Sequence, residues 1–139
     1  MKGAFLGAVG AVGSGIAFLF GGWNSSITTL LIFMLIDFIS GLIVAGVFHK
    51  STKTESGALS SQKGWQGLAK KCMTLFFVII GNRLDMMIGA TYIRDAVCIA
   101  FVVNELISII ENAKLMGIPI PAIIGKAIDV LNQKGNRNE

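Results

Sequence analysis

From Ile27 to Phe48 the sequence reads ITTLLIFMLIDFISGLIVAGVF, 22 residues carrying a single charge, Asp37. At 1.5 Å per residue such a helix is about 33 Å long, enough to cross the hydrocarbon core of a bilayer. The remainder of the chain agrees with this feature. Of its 139 residues 53% are hydrophobic and only 14% charged, and the mean hydropathy is +0.71. A soluble domain carries about 25% charged residues, because something polar must cover its surface. Disorder is excluded by the same composition, since disordered chains are poor in apolar residues and rich in charge. A membrane protein is the class that remains.

Two further runs extend the pattern with more interruptions. Residues 49–67 (HKSTKTESGALSSQKGWQG) read as a polar loop, with a helix start available at Ser60 or Ser61. Beyond it, 68–88 and 93–111 read as a second and a third span joined by a short connector. Neither stands out by hydropathy alone, but as a hairpin beside the first span they complete a bundle. Residues 1–22 are apolar and rich in glycine. Gly3 and Gly7, and Gly13, Ala17 and Gly21, recur every four residues, a spacing that lets membrane helices pack closely. A loosely structured interfacial helix fits these residues equally well, so the count stays at three to four transmembrane helices. A signal peptide fits poorly, because glycines dilute the apolar core and no A-x-A site follows. Gly117, Pro119 and Pro121 end the third span. Residues 119–134 then read as an amphipathic helix, with Ile123, Ile124, Ala127, Ile128 and Leu131 opposite Lys126, Asp129 and Gln133. Such a helix suits a membrane surface or a sister subunit. Lys134 to Glu139 read as a frayed polar tail.

Lysine and arginine total 12 against 8 acids, a net charge of +4. In so apolar a chain this excess reads as a topology signal or an attraction to anionic lipid, not as a nucleic-acid footprint. Lys50, Lys53, Lys63, Lys70 and Lys71 place the loop in the cytoplasm by the positive-inside rule. A returning hairpin then puts Lys114, Lys126, Lys134 and Arg137, and so the C-terminal part, on the same side. If residues 3–20 also cross, Lys2 falls inside too.

Polar groups inside the spans are the candidate functional residues, because a mid-bilayer charge needs a partner or a wet cavity. Asp37 shares a face with Ser40 and Gly41. Asn82, Arg83 and Asp85 cluster in the second span. Asp95, Cys98, Val102, Glu105, Ser108 and Asn112 form a stripe down the third, with Glu111 at its end. Asp37, Arg83 and Glu105 fall near one layer, and Asp37 is expected to pair with Arg83. Three or four helices offer little interior, so these residues are expected either to hold an oligomer together or to line water within one. Cys72 and Cys98 lie in apolar runs and read as packing thiols. With one histidine, His49, no metal cluster, nucleophile triad or phosphate loop can be assembled. Neither an enzyme nor a cofactor is expected.

Certain motifs resemble a known family. IDFISGLIVA is followed by LSSQKGWQGLAKK, by an apolar run ending in NRLD, and by NELISIIENAKLMGIPIPAII. In that order, over about Ile36 to Leu131, they resemble bacteriophage holins of the toxin-secretion/phage-lysis type. The resemblance implies an all-α, multi-pass protein of the host cytoplasmic membrane. It further implies a protein that assembles with itself and permeabilises the membrane to release an endolysin or a toxin. No catalytic residue is implied. Asp37, Asp85, Glu105, Glu111 and Asn112 are where the family pattern and the polar-stripe argument coincide. Two other classes stay open: a small ion channel or transporter with acidic coupling residues, and an antiholin-like membrane regulator.

Overall fold

The computed structural model describes residues 1–137, and within them the chain is all helix, without strands. Five helices follow one another: α1 (Lys2–Leu19), α2 (Ser25–Gly46), α3 (Ser61–Ile88), α4 (Ile93–Leu115) and α5 (Ala122–Arg137). Their ends are set by local chemistry. The Asn24 side chain accepts the Ile27 N–H at 3.0 Å to open α2, and Ser60 accepts the Lys63 N–H at 3.4 Å to open α3. Gly89 closes α3 in the left-handed region (φ +69°), where its N–H reaches the Asp85 carbonyl. Gly117 does the same after α4 (φ +81°), and Ile118 N–H returns to the Ala113 carbonyl.

α4 is the axis of the molecule. It packs against α2, α3 and α5, whereas α2 and α3 meet only sparsely. Phe20, Ile27, Leu30, Met34, Val78, Cys98 and Val102 form the buried cluster. In lipid such a cluster gains from close packing and not from leaving water, so the fit of side chains matters most. Gly81 shows how tight it is: a Cβ there would lie 3.0 Å from the Arg94 Cα. α3 and α4 approach backbone to backbone at this point.

α1 buries no side chain along its whole length. No atom lies within 4 Å of where a Cβ would stand at Gly3, Gly7 or Gly13, so within one chain the small-residue face meets nothing. Gly21 is not on that face. It follows the end of α1 with φ +78°, in a turn pressed against Asn82 and Arg94. α5 turns back and runs antiparallel along α4, so that a Cβ at Gly135 would touch Ile99 at 3.4 Å. Its contact face is Ile124, Ile128, Leu131 and Gly135, while Ile123 and Ala127 are exposed. The helix continues through Arg137, where a frayed tail from Lys134 was expected; 138 and 139 lie outside the described residues.

Two helices, α1 and α2, are long and apolar enough to cross a membrane. α3 and α4, with 28 and 23 residues, have the length, but charged residues such as Lys70, Lys71, Arg83 and Asp85 in α3 and Arg94, Asp95, Glu105 and Glu111 in α4 interrupt their apolar runs. α3 also begins well before the apolar run, taking in Lys63, Lys70 and Lys71 as helical residues.

Candidate functional site

Polar side chains gather in two places inside the bundle. At mid-height, Asp37 of α2 and Glu105 of α4 face each other, 7% and 6% exposed. Between them stands Lys71 of α3. Its Nζ donates to Asp37 Oδ2 at 2.7 Å and to Glu105 Oε2 at 2.8 Å, short charge-assisted contacts to both carboxylates. Asn112 extends the cluster by donating to Asp37 Oδ1 at 3.1 Å and to Ser40 Oγ at 2.9 Å. Ser40 in turn donates to the Asp37 carbonyl at 3.1 Å. Gly41 leaves room beside Asn112, and Ser108 lines the same space.

The second cluster clasps the ends of three helices. The Asp85 carboxylate accepts the Ile93 and Arg94 N–H groups at 2.9 and 3.0 Å. A side chain from α3 thereby caps α4, whose own N-cap residue, Tyr92, supplies no side-chain bond. A carboxylate there also complements the positive end of the helix. Asn82 donates to the Leu19 carbonyl at 3.1 Å, and Arg94 Nη1 to the carbonyls of Phe20 and Gly21 at 3.0 and 2.8 Å. These would otherwise be orphaned carbonyls at the end of α1. Arg94 also holds Asp95 on its own helix, at 3.1 Å.

The expected Asp37–Arg83 pair does not form. Lys71 occupies the place, while Arg83 lies twelve residues along α3, about 18 Å away at helical rise, on the exposed face. Its nearest polar contact is the Met86 sulfur at 3.7 Å. Glu111 is exposed as well, and Asp95 is half-buried. Cys98 is buried as a packing thiol, but Cys72 is exposed, since α3 turns that position outward. The expectation that one chain has too little interior is corrected too. Asp37, Asn82, Asp85, Glu105 and Asn112 are all buried in a single protomer. Among the described residues, no buried side-chain N or O atom lacks a partner.

Lys71 and Arg94 are the two residues that sequence reasoning passed over. Lys71 follows Lys70 at the edge of an apolar run and so reads as a topology charge. Yet it sits three residues before Thr74 and seven before Val78, on the face that α3 buries. No group of His, Cys, Asp and Glu comes together as a metal site among the described residues. What the arrangement achieves is internal partnering: Lys71 offsets one of the two facing carboxylates, and the remaining buried polar groups are hydrogen-bonded from helix to helix.

The profile of the bacteriophage holin family matches residues 14–133. The chain belongs to the bacteriophage holin family. A probable holin of Bacillus phage phi105 is 28% identical over 78% of this chain and 75% of its own length. An uncharacterized protein of Listeria innocua is 35% identical, covering 94% of this chain and 90% of its own. An uncharacterized protein of Clostridium perfringens is 33% identical, with 90% and 88% covered. No solved structure matches the chain. The holin-family match takes in every side chain of both polar clusters and leaves out most of α1.

Proposed function

We propose that the chain acts as a holin: it crosses the bacterial cytoplasmic membrane, assembles with copies of itself, and opens lesions that let an endolysin or a toxin out. In this reading α3 and α4 span together with α1 and α2, and α5 starts from the cytoplasmic end of α4 and runs back along it. Of the polar residues that interrupt α3 and α4, Lys71, Asn82, Asp85, Glu105 and Asn112 are turned inward and partnered. Lipid never meets them. It meets Ile32, Leu35 and Ile39 of α2 and Phe76, Ile80 and Leu84 of α3, which are exposed.

The course of α5 carries the reading. Lying along a spanning α4, it brings Lys126, Asp129, Gln133 and Lys134 to membrane depth on its exposed face. A Lys or Asp held in lipid costs roughly 2.5–3.5 kcal/mol at the helix centre on insertion scales. Against sister copies or water the cost vanishes. Each protomer is thus an apolar wall segment with one polar edge, which is what the rim of an aqueous lesion requires.

Induced expression in a bacterium, followed with a potential-sensitive dye and a folded cytosolic reporter, tests the proposal. Abrupt depolarisation with release of the reporter is the expected result. Selective solute flux at an intact potential would instead mark a channel or transporter, and suppression of another holin's lysis an antiholin. A Lys126→Leu/Asp129→Leu/Gln133→Leu variant is expected to insert and accumulate but to release no reporter.

A further inference from the structure

A cavity of about 240 Å³ lies between α2, the 47–60 loop, α3 and α4. Its inner wall is the Asp37–Lys71–Glu105 cluster, and Lys53, Lys63 and Lys70 line it nearer the loop. Lys71 is committed to two carboxylates, whereas these three lysines have no ion-pair partner among the described residues. Their charge therefore outweighs the single excess carboxylate of the cluster. Two glycines keep the space open. Gly64 and Gly67 line it, and a Cβ at either would meet nothing within 4 Å. Unlike Gly81, they bring no helices together; they withhold side chains from a gap.

An apolar groove continues from this cavity along the seam of α2 and α3, over Phe38, Leu42, Leu59, Trp65 and Leu68. Phe38, Leu42, Leu59 and Gly64 border both spaces, so the basic cavity and the apolar groove are one continuous depression. The groove exists because α2 and α3 scarcely touch.

We propose that this depression binds one anionic phospholipid of the cytoplasmic leaflet. Its phosphate sits among Lys53, Lys63 and Lys70, and one acyl chain lies in the groove. The inference rests on α2 and α3 spanning the membrane as read above, with the basic loop facing the leaflet in which anionic lipids attract lysines. A zwitterionic headgroup brings its own cation against three ammonium groups. Free phosphate leaves the groove unfilled. A phospholipid satisfies both halves and closes the seam that the protein leaves loose.

The test uses the purified full chain in a neutral detergent. It is titrated with short-chain phosphatidylglycerol, with short-chain phosphatidylcholine, and with inorganic phosphate, and read by native mass spectrometry and thermal unfolding. Phosphatidylglycerol is expected to give a one-to-one adduct and a raised unfolding midpoint, the other two neither. Lys53→Gln/Lys63→Gln/Lys70→Gln is expected to weaken that adduct at least tenfold, and Gly64→Leu to block it with helix content unchanged. Lys2→Gln/Lys114→Gln should leave it intact. Equal response to the two lipids, or an undiminished adduct in the triple and Gly64→Leu variants, overturns the proposal. So does phosphate alone matching phosphatidylglycerol, which would leave no role for the acyl groove. Depolarisation on induction reads the proposed function separately, so either reading can fail while the other stands.

Discussion

Lys71 reaches two carboxylates at 2.7 and 2.8 Å with only 16% of its side chain exposed, so its ammonium replaces much of the water that Asp37 and Glu105 lost on burial. Lys71→Met would leave two like charges facing each other without a cation. The expected cost is about 3–5 kcal/mol, read as a lowered unfolding midpoint in detergent. Replacing all three (Lys71→Met/Asp37→Leu/Glu105→Leu) should recover most of that loss, because a well-packed apolar trio needs no neutralisation. Arg83→Gln and Asp37→Asn should add independently in a double-mutant cycle, since the two residues share no contact. That the acids needed a cation was legible from their depth in apolar runs. Which cation was not, for the choice depends on how α3 is rotated about its axis. A step of 100° separates Lys70, facing the cavity, from Lys71, facing the acids. Asp85 was opaque for a related reason: its partners are the backbone amides of another helix, and no side-chain pattern announces them.

Helices and their ends were the readable part, because their determinants are local. Ser60, Gly117 and the prolines act on residues three or four away, within reach of inspection. Packing between helices was less so, and the glycines show why. The regular spacing in α1 suggests an interface, yet nothing in the chain lies against Gly3, Gly7 or Gly13. Gly81, with no such repeat around it, is where two backbones meet. Gly81→Ala should therefore push α3 from α4 and cost about 1–3 kcal/mol, as overpacking does. Gly7→Ala should leave the unfolding midpoint of the isolated protomer unchanged. Cross-linking between copies provides its separate readout: a loss on Gly7→Leu at unchanged stability would put the α1 face between chains. The direction of α5 was likewise hidden. Pro119 and Pro121 show where α4 must stop, not that the next helix folds back along it.

On the scale of the whole molecule, α1 stands apart from the other four helices. It is held at one end only, by Asn82 and Arg94 on the carbonyls of Leu19, Phe20 and Gly21, and by Phe20 in the core. A chain lacking residues 2–18 keeps all these contacts. It should insert and unfold within about 1 kcal/mol of the full chain, the scale of a minor surface change, while its cross-linking into oligomers falls. The other four helices have a different character, since among the described residues every buried polar side-chain atom has found its partner within the same chain. The interior of those helices asks nothing of a neighbouring copy, so the polar groups left to meet one are those on the exposed face of α5. Under the proposed holin function, opening would then depend on the surfaces that copies present to one another and not on a rearrangement of this interior. On that reading the triad of Asp37, Lys71 and Glu105 is a latch within each single protomer, one that a neighbouring copy has no need to open.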